Sequence, residues 1–543
     1  MSTPTASPSA ALASVWARLQ ADPHDAEARQ VWRGLRESGA PEAAACFQTF
    51  DAEVYAALTR VAAAEAGFDH ELRQLAEAQV VLRHALAREG VQVGEPAVLT
   101  LAADALLRHL LTQDFCSNLL LERSLTKARA WLMNRFQPAQ PLPAALRPLV
   151  VALALQGFNN EYVLPVSTDE ERALAEVLAT LGSALKRVEP AAAESALLLA
   201  AMYQPCGTMP AAEQIGSRTW AADLEPLITR TLREPAEERA LAAETPTLGD
   251  VVDPVAQSVR AQYEANPYPR WLKLRRTPRG VQERLGKLRP DLPVAAPPGQ
   301  ILVAGCGTGK HSVSVALGNP GAAVLAVDLS FASLGYAARM ARACGTANVR
   351  HVQGDLRDLP KLGRQFDHIE CSGVLHHIKD HAAAWGVLDQ CLRPGGTARI
   401  SVYSRVARLL VSHVRTAIAR EGLGNSPEEV RRFRARLLTE PAWAGLLPLL
   451  VRMNDFFTLS MTRDLLFHVQ EHQYSVEEIE RIASALGWEL LAVDLPSHLR
   501  AALRADHPCK SATITTFAQW RQAEPAYVGS MTMFDFWLRK RGG

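Results

Sequence analysis

The stretch Ile301-Leu-Val-Ala-Gly-Cys-Gly-Thr-Gly309 decides how this 543-residue chain is read. Four apolar residues, a length suited to a buried strand, run directly into three glycines at alternate positions, and a helical pattern follows through Leu317. A glycine-rich turn between a strand and a helix turns tightly and lets a ligand approach the main chain. It puts that ligand at the carboxyl edge of a sheet, beside a helix N-terminus. The dinucleotide fingerprint is G-x-G-x-x-G, whereas Gly305, Gly307 and Gly309 give G-x-G-x-G, a spacing that disfavours a dehydrogenase.

Working outward, strands and helices alternate. Ala323 to Val327 is a strand ending in Asp328, and Phe331 to Cys344 is helical. Val349 to Val352 is a third strand, closing near Gly354-Asp355, and Phe366 to Ile369 is a fourth. A helix over 381–392 leads through Gly395-Gly396 into a fifth strand over 398–403. This alternation predicts an α/β, doubly wound (Rossmann-like) domain with a parallel sheet. Asp328, nineteen residues after Gly309, stands where a carboxylate can accept hydrogen bonds from two ribose hydroxyls.

The strings ILVAGCGTGKHS, AVDLS, QGDLRDLP, FDHIECSGVLHHI and LRPGG resemble class I S-adenosylmethionine-dependent methyltransferases across roughly 300–403. The resemblance implies that S-adenosylmethionine is the cofactor. It implies a methionine-side contact at Gly305, Cys306, Gly307 and Gly309, a ribose contact at Asp328 with Leu329, an adenine contact at Asp355 with Leu356, and a contact at Ser372. It also implies a fifth helix over 475–486, a sixth strand over 489–493 and an antiparallel seventh over 533–538. The wider arrangement is similar to bacterial members that carry a helical, tetratricopeptide-like N-terminal region and an Asn-Pro-Tyr-Pro segment.

That segment lies in Gln262-Tyr-Glu-Ala-Asn-Pro-Tyr-Pro-Arg-Trp271. In amino-directed methyltransferases an Asn-Pro-Pro-Tyr motif follows strand four. Here that position holds Cys371-Ser-Gly-Val-Leu-His-His377, and Asn266 precedes the first strand instead. The prolines impose an extended course. We therefore expect a cap over the cofactor's open side, walled by Tyr263, Asn266, Tyr268 and Trp271, with a surface-stapled linker as the competing reading. His376 and His377 lie near the expected methyl position and are the candidate catalytic residues; either the acceptor loses a proton to them or they only shape the pocket.

Residues 405–472 interrupt the expected fold as a helical insertion, read as a substrate lid. It carries eight arginines over 405–436 and ends in His468-Val-Gln-Glu-His472. That string matches the H-x-x-E-H zinc-peptidase pattern, in which a helix sets both histidines on one face. Three fixed positions in five arise readily by chance, so no metal is expected. His468, Glu471 and His472 are read as substrate contacts, with a packed polar helix as the plain alternative.

Residues 1–250 are rich in Ala, Leu, Glu and Arg at helical spacing and predict a helical array or bundle, either as one unit or as two divided near 95. Ala21-Asp-Pro-His-Asp-Ala-Glu-Ala28 resembles a tetratricopeptide turn, without a second copy. This half has 21 Lys+Arg against 31 Asp+Glu, and the remainder 37 against 26. Residues 251–298 read as an aromatic and basic cap and linker, with eight Lys/Arg in 270–290. The methyltransferase-like domain is then 299–404 with 473–543.

The eight cysteines are scattered without Cys-x-x-Cys pairs, which fits a reducing cytosol, and no run approaches a membrane span. A cytoplasmic, non-membrane protein is expected. The expected function is methyl transfer to an acceptor that is a protein, a peptide or a small molecule, with the helical half recruiting substrate or partner. The alternatives are a cofactor-binding scaffold or sensor without turnover, and a nucleic-acid methyltransferase drawing on the basic stretches, which is less favoured.

Overall fold

The computed structural model describes residues 8–37, 40–64, 68–86, 94–187, 189–274, 278–293, 296–496, 499–500 and 513–542. Arg275 and Arg276 of the basic run, residues 294–295 of the connector, Cys509 and residues 1–7 lie outside these. The chain forms two compact units. One comprises 1–235 with 426–462, the other 236–425 with 463–543.

The first unit is helical. Its opening helices, Pro8–Ala21 and Ala26–Glu37, are joined by a turn in which Arg18 Nε donates to Asp25 at 2.7 Å. Among the described residues, one hydrophobic cluster runs from Val15 to Ile228, with members on both sides of residue 95. The helix Arg147–Asn159 ends in a polar stretch, and the Asn159 amide donates to the carbonyl oxygens of Leu111 and Asp114. Residues 426–462 belong here because Arg434, 1 % exposed, forms a paired contact with Glu122 at 2.7 and 3.0 Å. The 405–472 stretch, expected as one insertion, is therefore divided between the units.

The second unit holds a seven-stranded sheet in the order β3-β2-β1-β4-β5-β7-β6. The strands are β1 (Gln300–Ala304), β2 (Ala323–Asp328), β3 (Val349–Gln353), β4 (Phe366–Ser372), β5 (Leu392–Tyr403), β6 (Trp488–Val493) and β7 (Met533–Lys540). β1 to β5 are parallel, and β7 runs antiparallel to both β5 and β6. The fold is Rossmann-like, as the alternation of the sequence implies. β5 begins at Leu392, earlier than expected, because Leu392 pairs with Phe366 before the register shifts to Thr397 opposite His368.

Apolar runs make β1 and β2 buried on both faces, as central parallel strands must be. Reversal of strand order between β1 and β4 opens a crevice at their carboxyl ends, the place where such sheets bind ligands. No described helix is long and apolar enough to cross a membrane. The seven described cysteines are free.

Candidate functional site

The alternating glycines all have positive φ: 72° at Gly305, 51° at Gly307 and 81° at Gly309. Gly305 and Cys306 N–H groups donate to the Val327 carbonyl at 2.8 and 3.1 Å, hanging the loop on β2. A Cβ on Gly307 would lie 2.6 Å from the Tyr268 carbonyl oxygen, and one on Gly309 would lie 2.6 Å from Ala337 Cβ. The loop is thus a backbone cradle with no room for side chains. The Cys306 side chain turns into the core, where burial raises its thiol well above the ordinary range, so only its backbone faces the loop.

Asp328 ends β2. Its Oδ2 accepts the Gly307 N–H at 2.7 Å and its Oδ1 accepts the Ser330 N–H at 3.0 Å. Burial pushes this carboxyl up, opposed by those two backbone donors. Each oxygen keeps lone-pair capacity for a hydroxyl donor. Asp355 follows β3 and is largely spoken for: Oδ1 accepts the Arg357 backbone N–H at 2.9 Å, and the Arg357 guanidinium binds both oxygens. Leu356 packs in the core, Leu329 is half-buried with its carbonyl taken by Gln353, and Ser372 closes β4 opposite Ser401.

The proline segment lies directly on the glycine loop. Its helix, Pro254–Ala265, starts on an Asp253 cap and ends at Asn266. The Thr308 N–H donates to the Tyr268 carbonyl at 3.3 Å and the Thr308 hydroxyl to the Pro269 carbonyl. Trp271, 4 % exposed, returns its indole N–H to the Thr308 carbonyl at 3.0 Å. Tyr336 hydrogen-bonds both backbone groups of Trp271. Glu264 accepts the N–H groups of Phe331 and Ala332 at 2.7 and 3.0 Å, capping the helix that follows β2.

Behind the cap sits a cluster of rings. His376 is fully buried, stacked on Tyr403 at 3.8 Å, and its Nδ1 accepts the Tyr403 N–H at 3.2 Å. Its Nε2 has no partner among the described residues. His377 Nδ1 donates to the Gln470 carbonyl at 2.7 Å while its ring stacks on His468 at 3.5 Å. Burial lowers all three imidazoles below the usual histidine range.

The helical expectation for 468–472 fails. The helix Leu459–Phe467 stops because the Gln470 N–H turns back to His468 Nδ1 at 3.1 Å, competing with helical pairing. His468 and His472 consequently face different neighbours. His472 stacks on His381 at 3.8 Å, and both donate to Glu478 Oε1, at 2.9 and 3.0 Å. Glu471 is bound by Arg408 at 2.6 Å, with Arg415 at 3.7 Å. Among the described residues, two histidine–carboxylate groups have ligand atoms within 4.8 Å of one another, namely His377, Asp464 and His468, and His381, His472 and Glu478. The H-x-x-E-H face of a zinc peptidase does not form.

Asn266 Oδ1 accepts from Arg463 at 2.6 Å. The Tyr263 hydroxyl donates to Asp464 at 2.6 Å. The basic stretches are largely committed: Arg284 to Glu370, Arg289 to Asp291, Arg408 to Glu471, Arg434 to Glu122 and Arg436 to Glu440. Sequence reasoning missed Asp464, Tyr403 and Arg408. Their roles arise from contacts between residues some 60 to 200 positions apart, for which no local pattern exists.

The arrangement fits S-adenosylmethionine. A side-chain-free cradle and a strand-end carboxylate suit its methionine and ribose portions, and Gly305, Gly307, Gly309 and Asp328 would hold them.

Residues 301–396 match a family model described as a methyltransferase domain. An uncharacterized protein of Synechococcus sp. is 30 % identical over 260 residues, covering 44 % of this chain and 60 % of that protein. Trans-aconitate 2-methyltransferase of Deinococcus radiodurans is 34 % identical over 118 residues, covering 22 % and 42 %. The chain thus spans less than two thirds of either curated relative. Among solved structures, PKMT2 from Rickettsia typhi shares 18 % identity at a TM-score of 0.35, covering 47 % of this chain and 51 % of that one. Magnesium protoporphyrin IX methyltransferase from Synechocystis PCC 6803 shares 15 % at 0.27, covering 56 % and 93 %. Likenesses of that strength add nothing to the sheet topology itself.

Proposed function

We propose that this chain, whose residues 301–396 are a class I S-adenosylmethionine-dependent methyltransferase domain, transfers a methyl group from that cofactor to an acceptor held beneath the 262–271 cap. The observation that carries this reading is the glycine loop tied on one side to Asp328 and on the other to Tyr268, Pro269 and Trp271.

When bound, the cofactor supplies a methyl carbon made electrophilic by its sulfonium. The chain's own work is positioning and water exclusion, which carry much of the acceleration in an in-line displacement. Asp328 holds the ribose hydroxyls, and the glycines, lacking side chains, admit the methionine portion. Leu356 and the backbone around Asp355 flank the adenine, since the Asp355 carboxylate is engaged by Arg357. Tyr268 and Trp271 close over the loop, and His376 and His377 border the acceptor's place. The helical unit recruits the substrate or a partner.

The test is methyl-labelled S-adenosylmethionine in a host lysate with purified protein, separated into protein, nucleic-acid and small-molecule fractions. Label in one fraction, absent with Asp328→Ala, supports transfer and names the acceptor class. A chain that binds the cofactor and labels nothing would be a scaffold or sensor.

A further inference from the structure

Asp464 is a buried carboxylate that forms no ion pair among the described residues, although the Arg408 charge acts on it from nearby. It is 4 % exposed. Its Oδ1 accepts the Tyr263 hydroxyl at 2.6 Å and its Oδ2 the Tyr403 hydroxyl at 3.3 Å. The nearby Arg408 and Arg415 are taken by Glu471, and Arg463 turns to Gln262 and Asn266. Removing a carboxylate from water is costly, and buried charges are ordinarily paired.

The surroundings are rings. Tyr263 stands 6.3 Å from Tyr268 and 6.0 Å from His468, which stacks on His377. Tyr403 has both faces covered, by Arg408 at 3.8 Å and His376 at 3.8 Å, so it offers only its hydroxyl. The ring faces of Tyr263 and Tyr268 are suited to a cation. Both residues belong to the cap that closes the glycine loop, so this carboxylate is tied to the cofactor's side of the domain.

The hydrogen bonds fix where protons sit. His377 donates from Nδ1 to Gln470, leaving Nε2 with its lone pair and no partner among the described residues. His468 accepts the Gln470 N–H at Nδ1, so its Nε2 carries the proton and gives it to the Tyr263 oxygen at 3.2 Å. The Tyr263 proton goes to Asp464. A divalent ion at His377, Asp464 and His468 would need the nitrogen that this chain of donors already protonates.

Resting on the methyltransferase reading above, we propose that the acceptor is a primary or secondary amine that enters as an ammonium ion, with Asp464 as its counter-ion. One ammonium N–H proton passes to His377 Nε2. The freed nitrogen lone pair then bonds the methyl carbon while the carbon–sulfur bond breaks and sulfur keeps that pair as a thioether. The product leaves as a methylated ammonium, its charge inherited from the sulfonium, and His377 releases its proton to water.

The test uses the full chain, with S-adenosylhomocysteine affinity measured in parallel. Lysate is offered with methyl-labelled S-adenosylmethionine before and after acetic anhydride, which acylates amines, with O-acetyl groups then removed by hydroxylamine. The proposal expects label before acylation and none after. It expects Asp464→Asn to lower transfer about 100-fold or more while cofactor-product affinity stays within about twofold, which also reports that the variant is folded. Tyr263→Phe is expected to lower transfer about tenfold on the same terms. In the S-adenosylhomocysteine complex, n-butylammonium chloride should raise the melting temperature of the wild type more than that of Asp464→Asn, and sodium butyrate should not. Label that survives acylation, or equal butylammonium shifts in both proteins, overturns the amine assignment and leaves methyl transfer standing. Transfer abolished by EDTA and restored by zinc overturns it in favour of a metal site. Failure of the wild type to bind S-adenosylhomocysteine refutes the underlying reading instead.

Discussion

The indole N–H of Trp271 donates to the Thr308 carbonyl at 3.0 Å, while the Thr308 N–H donates back to the Tyr268 carbonyl at 3.3 Å. A residue from the proline segment is thereby fastened to the middle of the glycine loop, 37 positions away. The extended course expected of the two prolines is not what the chain adopts: the Tyr268–Pro269 peptide bond is cis and the chain bends at Tyr268 and Pro269, whose carbonyls accept from Thr308. The segment acts as a clamp on the cradle.

Trp271→Phe keeps most of the apolar contact and removes the indole donor, leaving a buried carbonyl unsatisfied. The expected cost is about 1–3 kcal/mol. Part of it should appear as a loss of roughly five- to tenfold in S-adenosylhomocysteine affinity by calorimetry.

Gly307→Ala sets a Cβ 2.6 Å from the Tyr268 carbonyl at a φ of 51° and should cost cofactor affinity about tenfold or more. Gly286, inside the helix Val281–Leu288, has nothing within 4 Å of its Cβ position. Gly286→Ala should leave binding unchanged and stabilise the fold by about 0.5–1 kcal/mol in thermal melts.

Glu370 on β4 is fully buried and touched by Arg284 at 2.7 Å, His311 at 3.0 Å and Arg399 at 3.2 Å. Burial alone would push its carboxyl up, yet Arg284, His311 and Arg399 hold it well below the usual range. Glu370→Ala removes the carboxylate that pairs with Arg284 and leaves Arg399 with Asp535 alone among the described residues. A loss of about 3 kcal/mol or more is expected in denaturant unfolding, without direct loss of a cofactor contact.

His351 on β3 is pulled down to about 4 by burial. A histidine depressed in the folded state is protonated first in the unfolded chain. Its stabilisation is therefore present above the unfolded value near 6.5 and is lost as pH falls toward about 4. Melting temperature should rise with pH across that window, and His351→Gln should flatten the rise. An unchanged slope would mean that His351 titrates normally.

Much of the α/β unit was legible because central parallel strands bury both faces and so read as apolar runs. Ile301 to Ala304 and Val324 to Val327 are the clearest. The glycine turn and the acid at the end of β2 were legible because alternating glycines and a strand-end acid are local patterns. The helix over His468 to His472 was misread because periodicity cannot register that the Gln470 N–H finds a side-chain acceptor two residues back. Asp464, 201 residues from Tyr263, was beyond any spacing rule. Its two tyrosine hydroxyl partners come together only after folding. The membership of 426–462 in the helical unit was hidden for the same reason, since Arg434 meets Glu122 across 312 positions.

The central claim is that the glycine loop and Asp328 hold S-adenosylmethionine, and titration calorimetry with that ligand on the wild type and Asp328→Ala tests it most directly. The account predicts saturable binding to the wild type and at least a roughly tenfold weaker affinity in the variant, as expected when a buried carboxylate loses its hydroxyl partners. Equal affinity in the two proteins, or no binding to the wild type, would contradict it.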